Sequence, residues 1–241
     1  MRKRNLVLVS LASFFVFCLS APQQVMAQST IMNTPSTGVV GARQVYLEMD
    51  FLTNYAWQRE GSFQNYIPRA VVGVGRNVEV GVNVSYTHIS GGESQPIEVQ
   101  PNVKWQFYNN EGAGTGAAVG CILYAPITHR AGTDTLGQCY SVGSKKLPGR
   151  FGPKFTGGAY ALIHARKEDG NRVGATIGYE QPLSSKVSFI IDWSSGNNRF
   201  GYISPALYFV TSKNSGLSAG YNIANQGRGK NSLCAYYGIQ F

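Results

Sequence analysis

Beyond residue 19 the chain has no apolar run near the roughly 20 residues that a membrane-spanning helix needs, so no such helix is expected there. Charge is scarce, with Asp, Glu, Lys and Arg making up 14% of 241 residues. Histidine is limited to His88, His129 and His164, and cysteine to four positions. No Cys-x-x-Cys pair, His-Glu-x-x-His helix or other metal-ligand spacing is present. Gly227-Arg228-Gly229-Lys230 has the wrong glycine spacing for a phosphate loop, and Asn231 follows its lysine. Neither a metal nor a cofactor is called for. The formal charge is +9, but no basic helix, aromatic RNA motif or zinc spacing accompanies it, so nucleic acid is not an expected partner.

What the chain does have is Gly (29), Tyr (14) and Phe (12). With so few charges, that composition suits a sheet whose outer face meets lipid and whose inner face is small and polar. At the N-terminus, Arg2, Lys3 and Arg4 precede the 14-residue stretch Leu6 to Leu19, and Val25-Met26-Ala27 offers small residues for cleavage. This is the anatomy of a secretory signal peptide over 1–27, too short for a spanning anchor. Cys18 follows Phe17, where a lipoprotein signal wants a small residue. Removing the three basic residues Arg2, Lys3 and Arg4 takes the charge from +9 to +6. That excess suits anionic lipid head groups or an anion-favouring lumen. Cys121, Cys139 and Cys234 would survive processing. An odd number leaves one thiol over, and spacing alone does not decide whether Cys121 and Cys139 pair.

Period-two alternation dominates the rest. Val45, Leu47, Met49 and Phe51 alternate with Tyr46, Glu48 and Asp50, and Val78 to Tyr86 with Glu79, Gly81, Asn83 and Ser85. The same holds for Val99 to Phe107 against Glu98, Gln100, Asn102, Lys104 and Gln106, with a bulge expected near Pro101. Segment 28–42 is polar, contains Gly and Pro and has no period, which predicts a flexible periplasmic lead-in. Periodicity fades between 127 and 153, leaving 11 readable strands. Both termini of a single-chain barrel lie at one end, so two successive outward strands need an inward one between them. Gln138 to Ser144 is the candidate, which brings the count to 12, with 10 and 14 as alternatives.

The last nine residues carry apolar side chains at Leu233, Ala235, Tyr237, Ile239 and Phe241, and the chain stops on that aromatic. This ending resembles the C-terminal signature strand of bacterial outer-membrane β-barrel proteins. The resemblance implies an all-β transmembrane antiparallel barrel over 43–241 in the cell outer membrane, reached by Sec-type export. It further implies that Tyr237, Ile239 and Phe241 signal to the barrel-assembly machinery, and that the outer face contacts outer-membrane lipids. Tyr55, Trp57, Trp105, Phe107, Tyr108 and Trp193 are candidates for the aromatic girdles.

In such a barrel the second residue set faces the lumen. Glu48, Asp50, Glu79, Asn83, Glu98, Gln100, Lys104, Lys186 and Asp192 become the candidate pore-lining residues. Twelve strands lie between filled and open barrels, so both a narrow channel for small polar solutes and a plugged, non-conducting barrel fit. One local pattern points elsewhere. His88-Ile89-Ser90 with the later Asn102 is similar to the His-x-Ser pair of outer-membrane phospholipase A and of lipid A 3-O-deacylases. That resemblance implies a lipid ester hydrolase in which His88 activates Ser90. The parity of His88 fits the lipid face, whereas Asn102 turns inward unless the bulge at Pro101 intervenes.

Overall fold

The computed structural model describes residues 30–54, 61–92, 95–131, 133–226 and 229–241. The expected signal peptide, Tyr55, Trp57 and the Gly227-Arg228 pair lie outside the described residues. Twelve strands form one closed antiparallel sheet: β1 (Val45–Thr53), β2 (Phe63–Gly75), β3 (Val78–Ile89), β4 (Glu98–Asn110), β5 (Thr115–Pro126), β6 (Leu136–Lys146), β7 (Lys154–Ile163), β8 (Val173–Pro182), β9 (Val187–Ser194), β10 (Tyr202–Val210), β11 (Ser215–Ala224) and β12 (Ser232–Gln240). Each strand pairs with its neighbours in sequence, and β1 closes on β12 with Met49 opposite Tyr237. Closure removes every sheet edge, as a backbone in lipid requires. The count agrees with the expected 12, and β6 contains the segment 138–144 that turn parity demanded.

Short turns gather at one end, with the chain's C-terminus among them. Arg76 and Asn77 both take positive φ (52° and 59°), giving the two-residue hairpin turn between β2 and β3. Longer loops gather at the other end, including 164–172 with its single 3-10 turn Lys167–Asp169. At the seam Val45 and Phe241 exchange backbone hydrogen bonds of 3.0 and 2.8 Å.

The outer face carries Val45, Leu47, Met49, Val80, Val82, Val103, Trp105, Phe107, Tyr108, Ile177, Leu233, Tyr237 and Phe241, all exposed. So large an apolar surface is not tolerated in water and suits a hydrocarbon surround. Trp105, Phe107 and Tyr108 sit together toward the short-turn end of β4. No bulge occurs at Pro101. It sits opposite Val82, and the β4/β5 register is the same on both sides of it, with Val99 opposite Ala125 and Asn102 opposite Ile122. The irregularity lies instead between Trp105 and Tyr108. A proline lacks only its own N–H, and one missing rung leaves the register intact.

Cys121 and Cys139 face each other across β5 and β6 and form a disulfide, while Cys234 is free and buried. Both disulfide partners alternate with the inward set, so the bridge lies on the outer wall.

The lead-in expected to be flexible is the main departure. From residue 30 the segment before β1 is folded back inside the barrel as a strap. Ile31, Met32, Thr34, Ser36, Thr37 and Val40 are buried. Ala42 bridges to Gly73 where the strap enters. A Cβ at Gly73 would stand 2.0 Å from the carbonyl oxygen of Gly41, and one at Gly178 would stand 2.2 Å from the Ile31 side chain. Glycine at these two wall positions makes the room the strap needs.

Candidate functional site

The barrel interior holds most of the ionisable groups that the strand parity predicts, together with Arg69, Lys154 and Glu180, and most of them form ion pairs. On β1 and β2, Arg69 forms an ion pair with Asp50 (2.6 Å) and lies 3.6 Å from Glu48, which accepts from the Tyr46 hydroxyl. On β3 and β4, Lys104 pairs with Glu79 at 3.0 Å. On β7 and β8, Lys154 pairs with Glu180 at 2.9 Å. Asn83 donates to Gln100 (3.3 Å). Asp50, Glu79, Lys104 and Asp192 are each 2% exposed or less, so protein fills the interior at their level. Buried charges persist only when paired and hydrogen-bonded.

The strap supplies the remaining partners. The backbone N–H groups of Met32, Asn33 and Thr34 all donate to Oδ2 of Asp192 at 2.8 to 2.9 Å. Three successive amides around one carboxylate oxygen make a small anion nest, here filled by the wall's own side chain. The Asn33 side chain donates to Ser204 (2.7 Å) and Asn222 (2.8 Å) and accepts from the Tyr236 hydroxyl (2.8 Å). Lower in the barrel, Gln106 donates to the Thr37 carbonyl, the Thr37 and Ser144 hydroxyls lie 2.6 Å apart, and the Val40 amide donates to Glu79. The strap thus contacts β3, β4 and β6 near the short turns, and β9 to β12 at its tip.

Of the candidate pore-lining residues, Glu48, Asp50, Glu79, Asn83, Gln100, Lys104 and Asp192 are buried and turned inward. Glu98 is at the loop-end mouth. Lys186 is corrected: it is exposed in the turn between β8 and β9, where its amide donates to Ser184, because the strand begins at Val187. Sequence reasoning passed over Arg69, whose parity it shares with the apolar Ile67 and Val71. It also passed over Lys154 and Glu180 at strand ends. The small, polar inner face expected from composition holds only for part of the wall. On β5 to β7 the inner wall is apolar and aromatic, built from Ala118, Tyr124, Leu136, Tyr140, Val142, Tyr160 and Leu162.

The alternative triad does not assemble. His88 is exposed on the outer face, opposite Gln64. Ser90 extends the ladder, exchanging backbone bonds with Gly61 and Ser62. Asn102 lies opposite Gly81, seven positions down the sheet from His88 or about 24 Å. Its side chain faces inward and donates to Asn83 and to the Gln100 carbonyl.

At the mouth, the loop 195–201 folds over the opening. Asn198 anchors it, donating to the Tyr160 hydroxyl and the Asn171 carbonyl (both 2.7 Å), and the next residue, Arg199, reaches Glu98 on the facing wall.

Solved structures share this architecture. The KdgM porin, also solved in complex with disordered oligogalacturonate, matches with a TM-score of 0.52 and 8% identity over 82% of this chain and 98% of that one. An outer membrane channel from Pseudomonas putida F1 matches with a TM-score of 0.54 and 14% identity, over 84% and 96%. No family model matches the chain, and no curated protein does. Likeness at these identities establishes a shared fold, which in this chain is a closed 12-strand antiparallel barrel.

Proposed function

We propose that the chain is an outer-membrane passive channel for small polar solutes, exported through its N-terminal signal and inserted by the barrel-assembly machinery, and that the strap 30–42 closes it in the state described. The single observation that carries this reading is the way the interior is filled. A structural barrel needs only side chains packed against one another. Here the filling at several levels is a separate segment, held to the wall by hydrogen bonds and by apolar contacts of Ile31, Met32 and Val40, with no covalent link among the described residues other than its junction with β1. Once the strap leaves, the wall it uncovers on β9 to β12 carries Asp192, Ser204 and Asn222 beside the apolar Ile190, Ala206 and Cys234, and it is charged on β3 and β4. The fold shared with porins and channels supports the same reading. The lipid-hydrolase alternative has no comparable support, since His88, Ser90 and Asn102 do not converge.

The test is conductance in planar bilayers of the full chain against a variant lacking residues 30–42. The deletion is expected to raise conductance severalfold. A deletion variant that folds, shown by its heat-modifiable gel mobility, yet passes no more current than the full chain would reject the reading. Fractionation tests location separately: the protein belongs with the outer membrane, and loss of Phe241 should lower its assembly there.

A further inference from the structure

At the loop-end mouth, Arg199 and Glu98 form a strut across the barrel. β4 and the β9–β10 loop are on opposite sides of the 12-strand ring, and the two residues are 101 positions apart in sequence. The contact is bidentate, Nη1 to Oε1 and Nη2 to Oε2, both at 2.8 Å. The guanidinium lies over the rings of Tyr124 (5.0 Å) and Phe200 (5.6 Å), whose centroids are 5.1 Å apart. Its side chain is 48% exposed, whereas that of Glu98 is 15% exposed. The cation is therefore reachable from outside, and the loop that presents it is fixed by Asn198, which is 2% exposed.

A planar fork of donors beside two aromatic faces is complementary to one kind of solute: a carboxylate carried on a flat ring. The fork takes both carboxylate oxygens, and the partly exposed Phe200, packed on the buried Tyr124, offers apolar surface for the ring. We propose that this is a mouth site for ring-bearing carboxylates, and that Glu98 occupies it in the solute-free protein as an internal competitor. The incoming carboxylate takes over the two guanidinium bonds. Glu98 is not stranded, because it lies near water and keeps the bond from Gln100 (3.2 Å). The exchange also breaks the strut, clearing the mouth. The inference gives the channel reading a solute class and rests on that reading for its purpose, though not for its chemistry.

Isothermal titration of the folded full chain in detergent micelles tests it, with benzoate as probe and benzamide as its neutral isostere. Benzoate is expected to bind and benzamide not. Glu98→Gln should tighten benzoate about tenfold or more by removing the competitor, a change of about 1.4 kcal/mol. Arg199→Lys, which keeps the charge but loses the fork, should abolish binding, while heat-modifiable mobility confirms that each variant is folded. Benzamide binding as well as benzoate, benzoate binding unchanged in Arg199→Lys, or no benzoate binding in either the wild type or Glu98→Gln would each overturn the proposal. Bilayer recordings on the variant lacking residues 30–42 separate the two readings. Benzoate binding in this pattern with no current from that variant upholds the site and removes the channel, and current from it without benzoate binding does the reverse.

Discussion

Asn33 and Asp192, 159 positions apart in sequence, are joined by a 2.8 Å hydrogen bond from the Asn33 backbone amide to the Asp192 carboxylate. That bond fixes the tip of the strap to β9, and the flanking amides of Met32 and Thr34 converge on the same oxygen. Hydrogen bonds to a charged acceptor contribute about 1.5–3 kcal/mol each. Asp192→Ala removes all three and should raise the open probability about tenfold or more in single-channel recordings.

Lys104 and Glu79 predict a different behaviour, because both are buried to 2% or less and Glu79 also holds the strap amide of Val40. Lys104→Met leaves the carboxylate without its cation. Removing one partner of a buried pair typically costs about 3–5 kcal/mol, whereas replacing both partners costs far less. Urea unfolding of vesicle-reconstituted protein should therefore show Lys104→Met to be more damaging than Glu79→Gln with Lys104→Met.

The Cys121–Cys139 bridge spans 18 residues on the outer wall, between strands already joined by their ladder. Cross-linking a loop of that length is worth at most about 3 kcal/mol. Replacing both cysteines by Ala should lower stability by no more than that. Since the bridge points away from the lumen, conductance should be unchanged, and a change in ion selectivity would contradict the assigned parity.

Ser90→Ala should leave assembly and conductance as they are, and the wild-type protein should release no fatty acid from phospholipid or lipid A. An activated serine needs its histidine held by a third group within hydrogen-bond reach, and Asn102 is on the opposite face and far down the sheet. Fatty-acid release that Ser90→Ala abolishes would reverse this.

Most strands were legible because their two faces differ sharply. In β3 the valines point to lipid, and Glu79, Asn83 and Ser85 point inward, so period and polarity agree. β6 lacks that contrast. Its inward set, Leu136, Gln138, Tyr140, Val142 and Ser144, mixes apolar and polar residues, and its outward set is Gly137, Cys139, Ser141 and Gly143, so hydropathy there carried no usable sign and only turn parity located the strand. The strap left no signal of its own burial. Thr30 to Ala42 is made of Ser, Thr, Asn, Pro and Gly with a few apolar residues, the chemistry of turns and loops. What buries it is the wall of a barrel whose strands lie far along the chain, with partners such as Asp192, Asn222 and Tyr236. Arg69 was hidden for a related reason, since its two carboxylate partners belong to the neighbouring strand.

The most direct measurement locks the strap in place. Thr37 and Ser144 stand with their hydroxyls 2.6 Å apart, so cysteines substituted at both positions should form a disulfide between strap and wall. Planar-bilayer current is then followed before and after reductant, with the wild-type protein under the same reductant as reference. A closed barrel when oxidised, with current appearing on reduction, is the predicted result. The same current in both states, or none in either, would contradict the claim that strap movement opens this channel.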